Sequence, residues 1–326
     1  MSNKEKRFFR WFTLAMMFAL VVVLTLNMSL TSTPAHEGNS QSSGFNRDYN
    51  IYSLELPDTL TFAGEQVPVG YFDVREDLDR ELLVNTYWQS HTLLLIKRAN
   101  RYLPQIDTIL ENQGIPDDFK YIPLIESELT NAVSPAGAVG FWQFLKGTGR
   151  DYGLQIDGQI DERYHLEKST RAACRFFKES YQKFGSWTLA AASFNFGRSA
   201  LQRQLERQEA DNYYNLVLNQ ETARYIYRIL ALKLILENPD RYGFNIPAED
   251  LYYPIPTYRV TVDTTVEDFA GFARAHGINY KYLKILNPWL RESYLKNPRG
   301  QPYHIQLPEN GQRNYRRILE ANKASF

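Results

Sequence analysis

Glu126 stands at the end of an apolar run, Ile122-Pro-Leu-Ile125. A carboxyl held at a dry helix end keeps its proton at neutral pH and can serve as a general acid. Farther along, Gly137 and Gly140 have the freedom to bring backbone close to a ligand. Trp142 and Gln143 add a flat ring for stacking and an amide that both donates and accepts. Taken alone, Glu126 reads as an exposed glutamate, as most glutamates are. What sets it apart is the order of the residues that follow it.

Four motifs succeed one another: Glu126-Ser127, then Gly137-x-x-Gly140-x-Trp142-Gln143-Phe144, then Ser193-Phe194-Asn195-Phe196-Gly197, then Glu221-Thr222-x-x-Tyr225-Ile226. Together they resemble the lytic murein transglycosylases with a goose-lysozyme-like (soluble lytic transglycosylase) domain, of the membrane-bound D type. The resemblance covers roughly residues 75–240. It implies a helical lysozyme-like fold. It also implies non-hydrolytic cleavage of the MurNAc–GlcNAc β-1,4 bond of peptidoglycan, leaving 1,6-anhydro-MurNAc ends. By resemblance Glu126 is the sole catalytic acid/base. Ser127, Gln143, Asn195 and Tyr225 would hold the sugar, with Gly137 and Gly140 shaping the groove floor. Two departures stand out. Phe194 occupies the place of the family's tyrosine in Ala-Tyr-Asn-x-Gly, which removes a hydroxyl. Ala223-Arg224 moves by one position the guanidinium of the family's Glu-Thr-Arg-x-Tyr-Val.

Ordinary glycosidases pair an acid with a second carboxylate. The candidates here have other uses: Glu128 would face solvent, and Asp161 suits a helix cap. A single acid fits substrate assistance, in which the acetamide oxygen stabilises the oxocarbenium-like centre. Glu126, once deprotonated, would then take the C6 hydroxyl proton. Two alternatives stay open: a hydrolytic muramidase, and a catalytically idle scaffold that binds peptidoglycan. Asp157-Gly-Gln-Ile-Asp161-Glu162 has its acids misplaced for a calcium loop and reads as a turn. Serine nucleophiles at Ser127, Ser134 or Ser193 lack a histidine base motif. Cys174, among Ala172, Ala173 and Phe177, reads as core.

Composition narrows the classes further. The 326 residues carry 37 basic and 37 acidic side chains, so no global cationic field exists to attract nucleic acid. One cysteine excludes an intrachain disulfide framework and a cysteine zinc cluster. His36, His91, His165, His276 and His304 are too scattered for a metal motif, and no cofactor is called for. Aromatic content of 14% suits a core and also a groove that stacks on sugar rings. The partner expected is the peptidoglycan glycan strand; oligomeric state is left open.

The fold class that must position these residues is mainly α, a lysozyme-like catalytic domain with a small C-terminal α+β module. Lys4, Lys6, Arg7 and Arg10 precede an uncharged run from Trp11 to Leu30. That pattern predicts a signal peptide or signal anchor over residues 1–30, placing the remainder in the periplasm or cell envelope with a possible inner-membrane tie. Residues 31–50 read as a flexible linker. Residues 51–74 alternate in short runs, Ile51–Leu54 and Leu60–Phe62, as a β or extended arm. Helical periodicity fills the catalytic domain, 75–245. Leu78, Leu82, Leu83, Leu93, Leu94, Ile96, Leu103, Ile106, Ile109 and Leu110 line two helices ending near Gly114. A short helix opens at Pro116 and Asp117-Asp118. Another starts at Asp161-Glu162, and Thr188–Phe194 and Glu221–Leu236 are further helical stretches. Over 255–326, Tyr258–Val262 and Tyr303–Leu307 alternate as strands around helices at Thr265–Ala275 and Tyr280–Leu286. This order resembles a degenerate LysM-like module, open to either glycan binding or packing.

Overall fold

The structure is a computed structural model in which residues 51–309 and 313–323 are described. The apolar run and the linker expected over residues 1–50 lie outside them. The chain divides into two units, Met1–Ser53 and Leu54–Phe326. Of the first, residues 51–53 carry no strand. Ile51 and Tyr52 are exposed and so bury no face that would set a strand register.

The second unit opens on a hairpin of β1 (Leu60–Phe62) and β2 (Glu65–Val67), with Leu60 opposite Val67. Ala63 and Gly64 turn the chain with φ of 52° and 81°, as a two-residue hairpin turn of this twist needs. Leu60, Phe62 and Val67 face the core. Helices α1 (Phe72–Tyr87) and α2 (Gln89–Asn112) follow. The inner stripe of α2 is Thr92, Leu95, Ala99, Ile106, Ile109 and Leu110. Leu93 and Leu94, expected inside, are 37% and 38% exposed. In a run of three leucines the neighbours Thr92, Ala99 and Ile106 set the phase, and they select Leu95.

A 3-10 turn at Asp117–Tyr121, capped by Pro116, leads into α3 (Ile122–Ser127). Then come α4 (Lys146–Asp151), α5 (Leu166–Phe184), α6 (Trp187–Phe196), α7 (Arg198–Gln208), α8 (Gln220–Ala223) and α9 (Tyr225–Glu237). Two expected helices are broken. The one opening at Asp161 is a 3-10 turn, Glu162–Tyr164, capped by the Asp161 carboxylate; extended backbone at His165 then restarts the chain as α5. The stretch from Glu221 divides at Arg224, whose guanidinium turns to the buried Glu81 at 2.6 Å. Helix α6 is buried from Thr188 through Ser193, and its three alanines let α5 and α9 pack closely around it. An apolar surface on all sides marks a central helix. Cys174 lies fully buried on α5, where desolvation pushes its thiol up to about 11.

In the C-terminal module β3 (Thr257–Val262) pairs antiparallel with β4 (Tyr303–Pro308), Val262 opposite Tyr303. Helices α10 (Phe269–Ala275) and α11 (Tyr280–Leu286) lie between them in sequence, and α12 (Tyr315–Lys323) follows. Helix α10 begins later than the periodicity from Thr265 suggested, because Asp268 takes the cap and accepts the Ala270 and Gly271 N–H groups. The module's core of Phe269, Leu283, Trp289 and Ile305 also contains Val139, Ile160 and Tyr164 from the helical part.

The hairpin is locked to α6 by one carboxylate. Glu65 accepts from Trp187 N–H at 2.5 Å, Ser186 Oγ at 2.8 Å, Thr188 N–H at 2.9 Å and Thr188 Oγ1 at 2.6 Å. An anion at a helix N-terminus satisfies donors that the helix cannot. Glu65→Ala should therefore destabilise the fold by about 2–4 kcal/mol, read as a lower denaturation midpoint at unchanged slope. A midpoint equal to wild type would show the hairpin to be dispensable.

Candidate active site

Helix α3 is only six residues long and buries Ile122, Pro123, Leu124 and Ser127. Glu128 and Leu129 then take positive φ, 54° and 53°, and end the helix at once. Glu126, in the last turn, consequently opens onto a cavity of about 390 Å³. Its walls include Ser134, Ala138, Gln143, Phe144, Phe194, Asn195, Glu221, Tyr225 and Arg228. A wider hollow of about 590 Å³ adjoins across Thr148 and Phe176.

The Glu126 carboxyl is pushed up to about 7, chiefly by desolvation. Tyr225 Oη donates to Glu126 Oε1 at 2.6 Å and, with the positive charge of Arg228, holds the shift back; the nearby Glu221 adds to it. Burial and the adjoining carboxyl keep the Tyr225 phenol well above its ordinary value, so it is a donor only. An acid poised near neutrality with one oxygen oriented by a phenol is equipped both to give and to retrieve a proton.

Structure separates the expected site residues into two groups. Glu126, Gln143, Asn195 and Tyr225 all line the cavity. Asn195 is fixed at both ends of its amide, donating to Glu221 Oε1 at 3.0 Å and accepting from Thr222 Oγ1 at 2.8 Å. Gln143 takes φ of 49°, and its Nε2 donates to Ala132 O at 3.1 Å and Gly140 O at 2.8 Å. The donor end of that amide is thus spent on the loop, and its carbonyl oxygen is the end left for a ligand.

The others do not line the cavity with their side chains. Ser127 is buried, and its hydroxyl lies 3.1 Å from Pro123 O and 2.9 Å from Phe141 O, tying α3 to the following loop. Gly140, with φ of 78°, allows close packing, since a Cβ there would lie 2.2 Å from Arg163 O. Gly137, with φ of 79°, has open space where a Cβ would stand and turns the loop between Ala136 and Ala138, both of which line the cavity. Trp142 offers no stacking plane; it is fully buried, donating to Thr170 Oγ1 at 2.9 Å. The hydroxyl-free ring of Phe194 sits among Trp142, Phe144, Phe176 and Phe177, with centroids between 5.0 and 6.2 Å.

Two wall residues were not singled out as site groups. Arg228 lies one turn beyond Tyr225 on α9, and that three-residue spacing is the signal that placed both on one face. Glu221 is a second carboxyl in the same cavity, adjoining the Asn195 amide. Glu128 is exposed beside His91 and Arg98, and Asp157 accepts the Gln159 and Ile160 N–H groups as a turn.

The chain carries a Transglycosylase SLT domain over residues 108–217 and a Soluble lytic transglycosylase C-terminal LysM-like domain over residues 258–311. It is 30% identical over 261 residues to the membrane-bound lytic murein transglycosylase D of Escherichia coli strain K12, and equally to that of Escherichia coli O6:H1. These matches cover 77% of this chain and 56% of each relative, so the chain spans little more than half of their length. A shorter match, 32% identity over 121 residues, is to a putative tributyltin chloride resistance protein of Alteromonas, covering 36% of this chain and 58% of the relative. Glu221 and Tyr225 lie beyond the SLT match yet complete the cavity around Glu126.

Tyr225→Phe removes the hydrogen bond that favours the ionised carboxylate. The Glu126 carboxyl should then titrate above its wild-type value of about 7, so that it stays protonated to higher pH. Carbon-13 NMR titration of the side-chain carboxyl checks this without reference to any reaction. An unchanged or lowered titration point would remove Tyr225 from the account.

Proposed function

We propose that the protein is a lytic transglycosylase that cleaves the MurNAc–GlcNAc β-1,4 bond of peptidoglycan without water and leaves 1,6-anhydro-MurNAc ends, remodelling the cell wall. The observation that carries this reading is Glu126: a carboxyl raised to about 7 in a cavity of about 390 Å³, with Tyr225 on one oxygen. At neutral pH a large share of it is protonated, as an acid must be to protonate the glycosidic oxygen. Departure of that oxygen leaves an oxocarbenium-like centre, stabilised by the acetamide oxygen of the sugar itself. The resulting carboxylate, still oriented by Tyr225, takes the C6 hydroxyl proton while O6 closes onto C1. The proton lost in the first step is regained in the second. Asn195, Gln143 and the rim at Ser134 and Ala138 would hold the N-acetylated sugar.

Glu221 is the observation that favours the hydrolytic alternative, because a second carboxyl in the cavity could activate water. Against that role, its Oε1 is engaged by the Asn195 amide at 3.0 Å. Mass spectrometry of digested sacculi separates the two readings, the anhydro product being lighter by one water. Glu126→Gln keeps the shape but cannot move a proton, so product formation should fall by about 10²–10⁴-fold while glycan binding persists. Residual activity above about a tenth of wild type would overturn the assignment of Glu126 as the acid, and a wild-type chain without activity would leave the idle scaffold.

The address belongs to the same proposal. The basic flank and apolar run before Leu30 would export the chain, tethered through residues 31–50 to the inner membrane on the periplasmic side. Among the described residues no helix is long and apolar enough to cross a membrane. Protease added to spheroplasts should digest residues 54–326; complete protection would place them inside.

A further inference from the structure

The loop that forms one wall of the cavity is held from behind by a single side chain. Arg163 is buried, and its Nη1 donates to Gly137 O and to Phe144 O, both at 3.1 Å. One guanidinium nitrogen thus clasps the two ends of a loop that includes Ala138 and Gln143. The rest of the fork is bidentate on Asp161, with Nε at 3.0 Å from Oδ1 and Nη2 at 2.7 Å from Oδ2. A planar fork on a carboxylate fixes direction as well as distance. The Arg163 carbonyl meanwhile occupies the space that a side chain at Gly140 would need.

Asp161 is in turn fixed by the C-terminal module. Its N–H donates to Trp289 O at 2.9 Å, Arg291 N–H donates to Gln159 O at 2.7 Å, and Lys296 N–H donates to Gln159 Oε1 at 2.7 Å. Ile160 and Leu290 form a β-bridge. Val139, a residue of the cavity loop itself, is buried in the module's core.

We propose that Arg163 is a positioning residue and that the C-terminal module, acting through Asp161 and Arg163, sets the geometry of the active-site loop. The module then acts on the cleavage of every substrate, including glycans too short to reach it. This rests on the function proposed above, and it goes beyond that function in making a module of the wall-binding type part of the catalytic apparatus.

The test uses the full chain and a short soluble peptidoglycan oligosaccharide, assayed well below each variant's melting temperature. Arg163→Lys keeps the charge beside Asp161 but cannot clasp Gly137 O and Phe144 O while remaining bidentate. Its kcat/KM should fall by about 10–100-fold, as displaced positioning groups do. The high-pH limb set by Glu126 should stay in place, since the acid's own contacts are intact. In a Glu126→Gln background the same substitution should weaken binding of the oligosaccharide, because the loop forms a wall of the cavity. Arg259→Ala, which breaks the exposed seam pair with Glu167, is the control and should keep wild-type rates. Activity of Arg163→Lys within about threefold of wild type, or unaltered oligosaccharide binding in the Glu126→Gln background, would overturn the inference. A wild-type chain that releases no product would overturn the proposed function instead, and the binding arm would still judge the clasp.

Discussion

Everything else in the molecule accommodates one carboxyl held away from water. Moving Glu126 from an ordinary 4.5 to about 7 represents on the order of 3 kcal/mol of unfavourable ionisation. The sign follows from linkage: a raised native pKa gives stability that is complete below about 4.5 and lost as pH rises through about 7. At neutral pH and above, the fold therefore carries a penalty at the position that serves it. Tyr225 and Arg228 limit that penalty without abolishing it, and the buried helices α6 and α9 supply the surplus that tolerates it. Further desolvation would make the acid weaker and its carboxylate a stronger base, whereas a wetter site would leave the group mostly ionised at neutral pH.

Several residues with the chemistry to touch a sugar are used to hold the site in shape: the Ser127 hydroxyl ties α3 to Phe141, the Trp142 indole is bonded to Thr170, and Gly140 makes room for Arg163. Residue type says which bonds a side chain can make, and the partner it finds depends on packing that has no local signature. The departures from the family pattern show the same thing. Phe194 without its hydroxyl fills a cluster of aromatic rings, and Arg224 satisfies the buried Glu81 outside the cavity wall.

Legibility tracked how local each cause was. The mainly helical class, the C-terminal strand–helix–helix–strand order and the burial of Cys174 follow from periodicity and spacing, and they stand in the structure. The phase of α2 at Leu93-Leu94-Leu95 was ambiguous, because three adjacent leucines satisfy more than one stripe. The breaks fall at His165, an extended residue, and at Arg224, whose side chain is drawn into a long-range ion pair with Glu81; neither feature is visible in an apolar pattern. Glu126, Asn195, Gln143 and Tyr225 were legible through motif order and meet at one cavity. Arg228 needed only the helical spacing from Tyr225, whereas the clasp by Arg163 depends on a fold that brings residues 137, 144, 161 and 289 together.

The shared core of Val139, Ile160, Tyr164 and the C-terminal module also bears on the order of assembly. Val139 finds its packing partners Phe269, Leu283 and Ile305 only after more than a hundred further residues have been made. Contacts this distant in sequence close late in folding. Until they do, a growing or truncated chain has Glu126 and its helix without the finished wall that faces them. The cavity would thus be the last part of the fold to take its final form, and incomplete chains would lack it.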